Sequence, residues 1–164
     1  MDAFRCGYVA LIGKPNTGKS TLMNALVGQK LSITAHRPQT TRHQILGIKT
    51  TETYQCIFVD TPGLHDANKK AIHRYMNRAA ISMLDDADLI CVLLDVSSFS
   101  SEDEKILQRV ANYGKVLVVL NKIDQQSRES CLPLMQKISQ QVPDFECIPV
   151  SALTGDNLDR LEQL

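Results

Sequence analysis

Apolar runs and amphipathic stretches alternate along this chain, the signature of a sheet with helices on its faces. Tyr8 to Ile12 is apolar and reads as a first strand, followed by a glycine-containing loop and a helical pattern from about Lys19 to Leu26. Gly28 to His43 is polar, contains Pro38 and keeps no clean period, which predicts a long mobile connection of the kind that usually carries function. Gln44 to Lys49 and Tyr54 to Val59 are joined only by the polar link Thr50 to Thr53. That link is too short for a parallel crossover, so it predicts a hairpin and one antiparallel strand.

Ala71 to Leu84 is predicted to be helical, and Leu89 to Leu94 is an uninterrupted apolar run, as a strand covered on both faces requires. Ser101 with Glu104 three residues on predicts a capping box that opens a helix to about Asn112. Val116 to Leu120 predicts a second fully buried strand, Glu129 to Gln141 a helix, and Phe145 to Val150 a strand. A last helix starts at Asn157 with Leu158, Leu161 and Leu164 on one face. It reads as cut short, which predicts the front portion of a longer protein.

Composition narrows the class. The 164 residues suit a single domain able to bury a core, and no apolar run is long enough to span a bilayer. The 18 basic and 18 acidic residues cancel, so a broad footprint for a polyanion is missing and any RNA partner is expected to bind another segment. The first residues lack the basic start, apolar stretch and cleavage site of a signal peptide. Cys6, Cys56, Cys91, Cys131 and Cys147 are odd in number and without zinc-ligand spacing, which predicts reduced thiols in a cytosolic protein.

The most specific signal is Gly13-Lys14-Pro15-Asn16-Thr17-Gly18-Lys19-Ser20, between the first strand and the first helix. Glycines let backbone N–H groups approach phosphate oxygens closely, and the helix N-terminus adds unpaired donors and the positive end of its dipole. Lys19 supplies charge toward β- and γ-phosphates, and the Ser20 hydroxyl can ligate Mg²⁺. Thr21 closes the same stretch. The expected fold is therefore the P-loop NTPase α/β fold: a mostly parallel six-stranded sheet with one antiparallel strand and helices on both faces.

Base choice must come from elsewhere, and Asn121-Lys122-Ile123-Asp124 follows a buried strand at the edge where such sheets bind ligands. An ionised Asp124 only accepts hydrogen bonds, and guanine presents two donors on one edge where adenine presents none. Each charge-assisted bond contributes roughly 1.5 to 3 kcal/mol, enough for two of them to exclude ATP. Asp60-Thr61-Pro62-Gly63 follows the strand Tyr54 to Val59; its carboxylate can hold a Mg²⁺ water, and Gly63 can offer its N–H to a γ-phosphate oxygen. Ser151-Ala152-Leu153 would complete the base pocket with backbone donors to the guanine O6.

In this order, each at a strand end, these motifs resemble those of the translation-factor-like GTPases, and more closely the Era family. The nearer resemblance rests on the phosphate-loop stretch through Thr21-Leu22, on Ser32-Ile33-Thr34 with Gln39-Thr40-Thr41-Arg42-His43, and on Val59-Asp60-Thr61-Pro62-Gly63-Leu64-His65. It covers essentially the whole chain. It implies a GTP-binding and GTP-hydrolysing switch domain of a small-subunit ribosome assembly factor, followed in the family by a KH domain that binds ribosomal RNA. It also implies a cytoplasmic protein that can associate peripherally with the inner face of the cell membrane.

By the same resemblance residues 28–43 form the first switch, with Thr41 (or Thr40) as a Mg²⁺ ligand, and residues 60 to about 75 the second. Lys69, Lys70, Arg74 and Arg78 then make either a solvated helix face or a ribosome contact. Where Ras-like enzymes carry a water-orienting glutamine this chain has Leu64, which predicts slow turnover. Asn16 is the candidate to compensate by holding K⁺ against the phosphates, as in related potassium-dependent GTPases, or else it only stabilises the loop turn. Two other readings stay open: the nucleotide switch of a transfer-RNA modification or membrane-associated enzyme, and a nucleotide-binding module with negligible hydrolysis.

Overall fold

Strand registry builds the molecule around one surface, the carboxyl edge of its sheet. The computed structural model describes residues 3–28, 44–61 and 81–164. Strands β1 (Arg5–Ile12), β2 (Gln44–Thr50), β3 (Tyr54–Asp60), β4 (Leu89–Asp95), β5 (Val116–Asn121) and β6 (Glu146–Pro149) form one sheet in the order β2-β3-β1-β4-β5-β6. All pairs are parallel except β2 with β3, the predicted hairpin.

The alternation of side chains along β4 and β5 explains why both faces need helices. Ile90, Val92 and Leu94 of β4, with Val116, Val118 and Leu120 of β5, belong to one buried cluster; Cys91, Leu93, Leu117 and Val119 belong to the other. The first cluster is completed by Met83 and Leu84 of a helical stretch at 81–86 (α2), by Ile106, Leu107 and Val110 of α3 (Ser101–Val110), and by Cys131 and Ile138 of α4 (Arg128–Gln141). The second is completed by Leu22, Met23 and Leu26 of α1 (Lys19–Val27) and by Leu158 and Leu161 of α5 (Leu158–Gln163). Leu164, expected on that face, is half exposed. The remainder of the predicted helix from Ala71 lies outside the described residues.

One boundary moves. The capping box at the start of α3 is made by Ser100 and Asp103, a residue earlier than the predicted Ser101 and Glu104. Ser100 is the extended residue, and the Asp103 carboxylate accepts from its N–H at 2.8 Å. The same carboxylate meets the Lys14 ammonium at 2.6 Å, so a contact distant in sequence sets which serine caps.

Consecutive strand ends place chemistry side by side. Leu11 is level with Asp60, and Asp95 with Asn121, so polar residues that end β3, β4 and β5 flank the loop leaving β1. Leu94 is fully buried just before that edge. Leu94→Ala should lower unfolding free energy by about 2 to 5 kcal/mol in a denaturant titration, and a loss under about 1 kcal/mol would mean this layer is loosely packed.

Candidate functional site

The loop of residues 13–18 is held by contacts that leave no room for larger side chains. A Cβ on Gly13 would lie 2.5 Å from the Leu93 carbonyl, and one on Gly18, at φ +97°, would collide with the Asn121 carboxamide. Asn16 also takes a left-handed conformation, and its side chain is exposed. Thr17 is buried and its hydroxyl donates to the Lys14 carbonyl at 2.9 Å.

Lys19, at the start of α1, folds back so that its Nζ donates to the carbonyls of Gly13 at 2.6 Å and Lys14 at 3.0 Å. Burial pushes its pKa below the ordinary lysine value, while the Asp60 carboxylate acts the other way. An ammonium resting on its own loop's carbonyls and short of solvent is a ready donor to a phosphate oxygen, a stronger acceptor. Lys14 behaves differently: its Nζ leaves the loop for Ser98 O at 2.7 Å, Ser100 Oγ at 3.1 Å and Asp103 Oδ2 at 2.6 Å. Of the residues predicted to contact phosphate, Lys14 and Thr17 therefore have inward-committed side chains and retain only backbone groups for that purpose.

Asn121 links the two halves of the site. Its buried Nδ2 donates to the Thr17 carbonyl at 2.9 Å, and its Oδ1 accepts from the Ala152 N–H at 2.9 Å. Lys122, in a left-handed conformation, donates to the Asn16 carbonyl at 2.6 Å and pairs with Asp95 Oδ2 at 2.7 Å. Asp95 Oδ1 also accepts from the Ser97 N–H and hydroxyl. Burial alone would raise the Asp95 pKa, but the Lys122 and Ser97 hydrogen bonds and the Lys122 charge outweigh it and hold the group below its ordinary value.

Asp124 sits exposed on a single 3-10 turn, Ile123–Gln125, with its Oδ1 accepting from the Ser151 hydroxyl at 2.5 Å. The Ser151 N–H donates to Asp156 O and the Ala152 N–H to Asn121. A guanine O6 would therefore compete with those acceptors or take the N–H of Leu153, a residue 76% exposed.

At the opposite end, Asp60 Oδ1 is buried and has no hydrogen-bond partner among the described residues. A buried carboxylate oxygen left over in this way is what a metal-bound water would satisfy. Ser20, in the first turn of α1, is exposed. Mg²⁺ usually keeps several waters and takes one or two protein carboxylates plus substrate phosphates, so a lone carboxylate with a hydroxyl fits it. The Thr61 hydroxyl is turned away, donating to Leu11 O at 3.1 Å. Thr40, Thr41, Pro62, Gly63, Leu64, His65 and the basic residues Lys69 to Arg78 lie outside the described residues.

Sequence reading missed Asp95 and the Ser100–Asp103 grip on Lys14. Asp95 had a signal: it ends an apolar strand as Asp60 and Asn121 do. The Lys14 grip had none, because its partners are 84 to 89 residues away along the chain.

Comparison with known proteins gives a consistent answer. Residues 8–122 match the family model described as 50S ribosome-binding GTPase. The chain is 50% identical to GTPase Era of Azotobacter vinelandii over 99% of its length and 55% of that protein's. Among solved structures it resembles Era in complex with MgGDPNP and nucleotides 1506–1542 of 16S ribosomal RNA, at TM-score 0.80, 40% identity and 98% coverage of this chain against 55% of that one. It also resembles a variant of Aquifex aeolicus Era bound to GDP and AlF4⁻, at TM-score 0.78, 40% identity, and coverage of 96% and 55%. The chain thus spans about half the length of the curated relatives it matches.

The Asp95–Lys122 pair yields a prediction with a definite sign. A carboxylate whose folded pKa is depressed stabilises the fold above its unfolded pKa and loses that contribution as pH falls through the folded value. The melting-temperature gap between the wild type and Asp95→Asn should be steady from about pH 7 to pH 5 and narrow below about pH 4. A gap that stays constant down to about pH 2.5 would mean that the Asp95 charge does not support the clamp.

Proposed function

Because this chain belongs to the 50S ribosome-binding GTPase family, we propose that it binds and hydrolyses GTP as the switch domain of an Era-type small-subunit assembly factor. The observation that carries the reading is the double bond of Asn121, which fastens the phosphate loop at Thr17 to the base loop at Ala152. A phosphate cradle and a guanine-selective carboxylate are useful together only at a fixed spacing, and one side chain sets it here.

In this reading the triphosphate lies along residues 13–21, Lys19 leaves its carbonyls for β- and γ-phosphate oxygens, and the guanine edge reaches Asp124, with Asn121, Lys122 and Ser151-Ala152-Leu153 shaping the pocket. Mg²⁺, held by Ser20, Asp60 through water and Thr41 or Thr40, would neutralise charge on the phosphate oxygens. Asp60, Thr61, Pro62, Gly63 and Leu64 then follow the γ-phosphate, with the Gly63 N–H as donor. Positioning and charge neutralisation dominate phosphoryl transfer, so the protein's main task is geometry. Leu64 cannot orient the attacking water, and turnover is slow.

Asn16 is exposed and takes a left-handed backbone conformation, which suits its side chain to hold K⁺ beside the phosphates. We assign ribosomal RNA and the immature subunit to a KH-type region of the kind the Era resemblance implies, since this chain's charges cancel. No helix among the described residues is long and apolar enough to cross a membrane. Cytoplasmic residence, with any membrane association peripheral, is the matching expectation.

The reading is tested by base exchange. Asp124→Asn should cut GTP affinity at least about 100-fold, the worth of two lost charge-assisted bonds, and shift preference to xanthosine triphosphate, whose C2 oxygen accepts from the new amide. Unchanged GTP affinity would remove Asp124 from the base pocket.

Leu64 also supports a second reading, binding with negligible hydrolysis, and phosphate release separates the two. The wild type should release phosphate faster in K⁺ than in Na⁺, Asn16→Ala should erase the difference with little effect on binding, and Lys19→Ala should abolish release. Equal rates in the two salts would leave Asn16 a purely structural residue, and no release in either would favour the binding module.

A further inference from the structure

Lys14 is the one cation of the phosphate loop that does not face the ligand we assign to it. Its side chain is 12% exposed, and it runs to the start of α3, where it donates to Ser98 O, Ser100 Oγ and Asp103 Oδ2. Asp103 is fully buried, and its other oxygen has no partner among the described residues, so the Lys14 ammonium is what balances its charge. The anchor is itself braced: Lys137 of α4 pairs with Glu104 at 2.6 Å and lies over the Phe99 ring at 5.2 Å. At the other end, the Lys14 carbonyl accepts from the Thr17 hydroxyl, the Thr17 N–H and the Lys19 ammonium.

From these two ends we propose that Lys14 is a positioning residue. Its ammonium tethers the phosphate loop to the N-terminus of α3, and its carbonyl thereby fixes the turn at Thr17 and the resting place of Lys19. A loop with a left-handed residue at Asn16 and another at Gly18 has little internal reason to hold one shape. The Lys14 bonds to the exposed Ser98 carbonyl and Ser100 hydroxyl and to the buried Asp103 carboxylate supply such a reason from outside, beside the Asn121 and Lys122 contacts to the loop carbonyls. The ligand-facing N–H groups are preorganised, so nucleotide binding need not order them. The inference rests on the phosphate-loop reading above, yet the tether exists in the free protein and can be tested there.

The experiment compares Lys14→Met, Lys14→Arg and the double variant Lys14→Met/Asp103→Asn with the wild type. The double variant replaces the stranded carboxylate by a neutral amide that can still cap Ser100. It therefore separates loss of the tether from the penalty of an unpaired buried charge, and it stays informative if Lys14→Met alone fails to fold. Two readouts are taken: amide hydrogen exchange at residues 14–18 without nucleotide, and the dissociation rate of GDP with Mg²⁺.

The tether predicts exchange at Thr17 faster by at least about tenfold in the double variant, with GDP dissociation faster by a similar factor and Lys14→Arg close to the wild type in both. Melting temperature should recover in the double variant relative to Lys14→Met while the GDP rate does not. Wild-type exchange in the double variant would overturn the proposal, as would a GDP rate that recovers together with the melting temperature, since that would show Lys14 serving only to neutralise Asp103. Failure of the wild type to bind GDP would sink the function assigned above, while the exchange measurement would still decide the tether.

Discussion

The structure depends most on the Asn121 carboxamide. A buried amide with both ends satisfied can be removed only by stranding a Thr17 carbonyl on one side and an Ala152 N–H on the other. Both partners lie in irregular loops, where the backbone has no ladder of its own to fall back on. One side chain at the end of a fully buried strand therefore carries the rigidity of β5 outward into two loops. The collision awaiting a Cβ at Gly18 is the same constraint seen from the other side: the loop lies against Asn121 so closely that only hydrogen fits.

Around that bond the charged groups are arranged as tethers. Lys122 spans the Asn16 carbonyl and Asp95, Lys14 spans the loop and α3, and Lys19 rests on the carbonyls of Gly13 and Lys14. Two of these lysines have a carboxylate partner, and the third, Lys19, has only carbonyls as hydrogen-bond partners among the described residues. That difference assigns the roles. An ammonium paired with a buried carboxylate gains little from exchanging it for a phosphate, whereas one that is partly buried and held only by neutral carbonyls gains more from an incoming anion. The partners of each ammonium, rather than its position along the loop, thus distinguish Lys19 from Lys14.

The sequence made the sheet legible because its strands are short apolar runs bounded by polar residues, and Leu89–Asp95 and Val116–Asn121 fall where the runs do. The hairpin was legible from the shortness of its link, since chain reach forbids the alternative. The capping box was misplaced by one residue because two serines stand in a row and local pattern cannot choose between them. Asp103 chooses, through an ion pair with a residue in another loop. A motif records which residues gather at the edge, not which way each side chain points. Thr17 and Thr61 illustrate this, each using its hydroxyl on a backbone carbonyl within the fold.

Burial explains which of the remaining polar atoms matter. Two buried side-chain oxygens lack a partner among the described residues, one on Asp60 and one on Asp103. They look alike in isolation, but their surroundings differ. The second oxygen of Asp103 already has the Lys14 ammonium, the Ser100 N–H and the Ser100 hydroxyl, so its carboxylate is balanced within the protein. Asp60 ends a strand beside the phosphate loop, and it acts on Lys19 without a hydrogen bond to it. An oxygen without a partner among the described residues, at the edge where such sheets bind ligands, is a group that something from outside the chain could satisfy. A hydrated divalent cation arriving with a triphosphate would supply both the donor and the charge, and for that reason the proposed chemistry starts at Asp60 and not at Asp103.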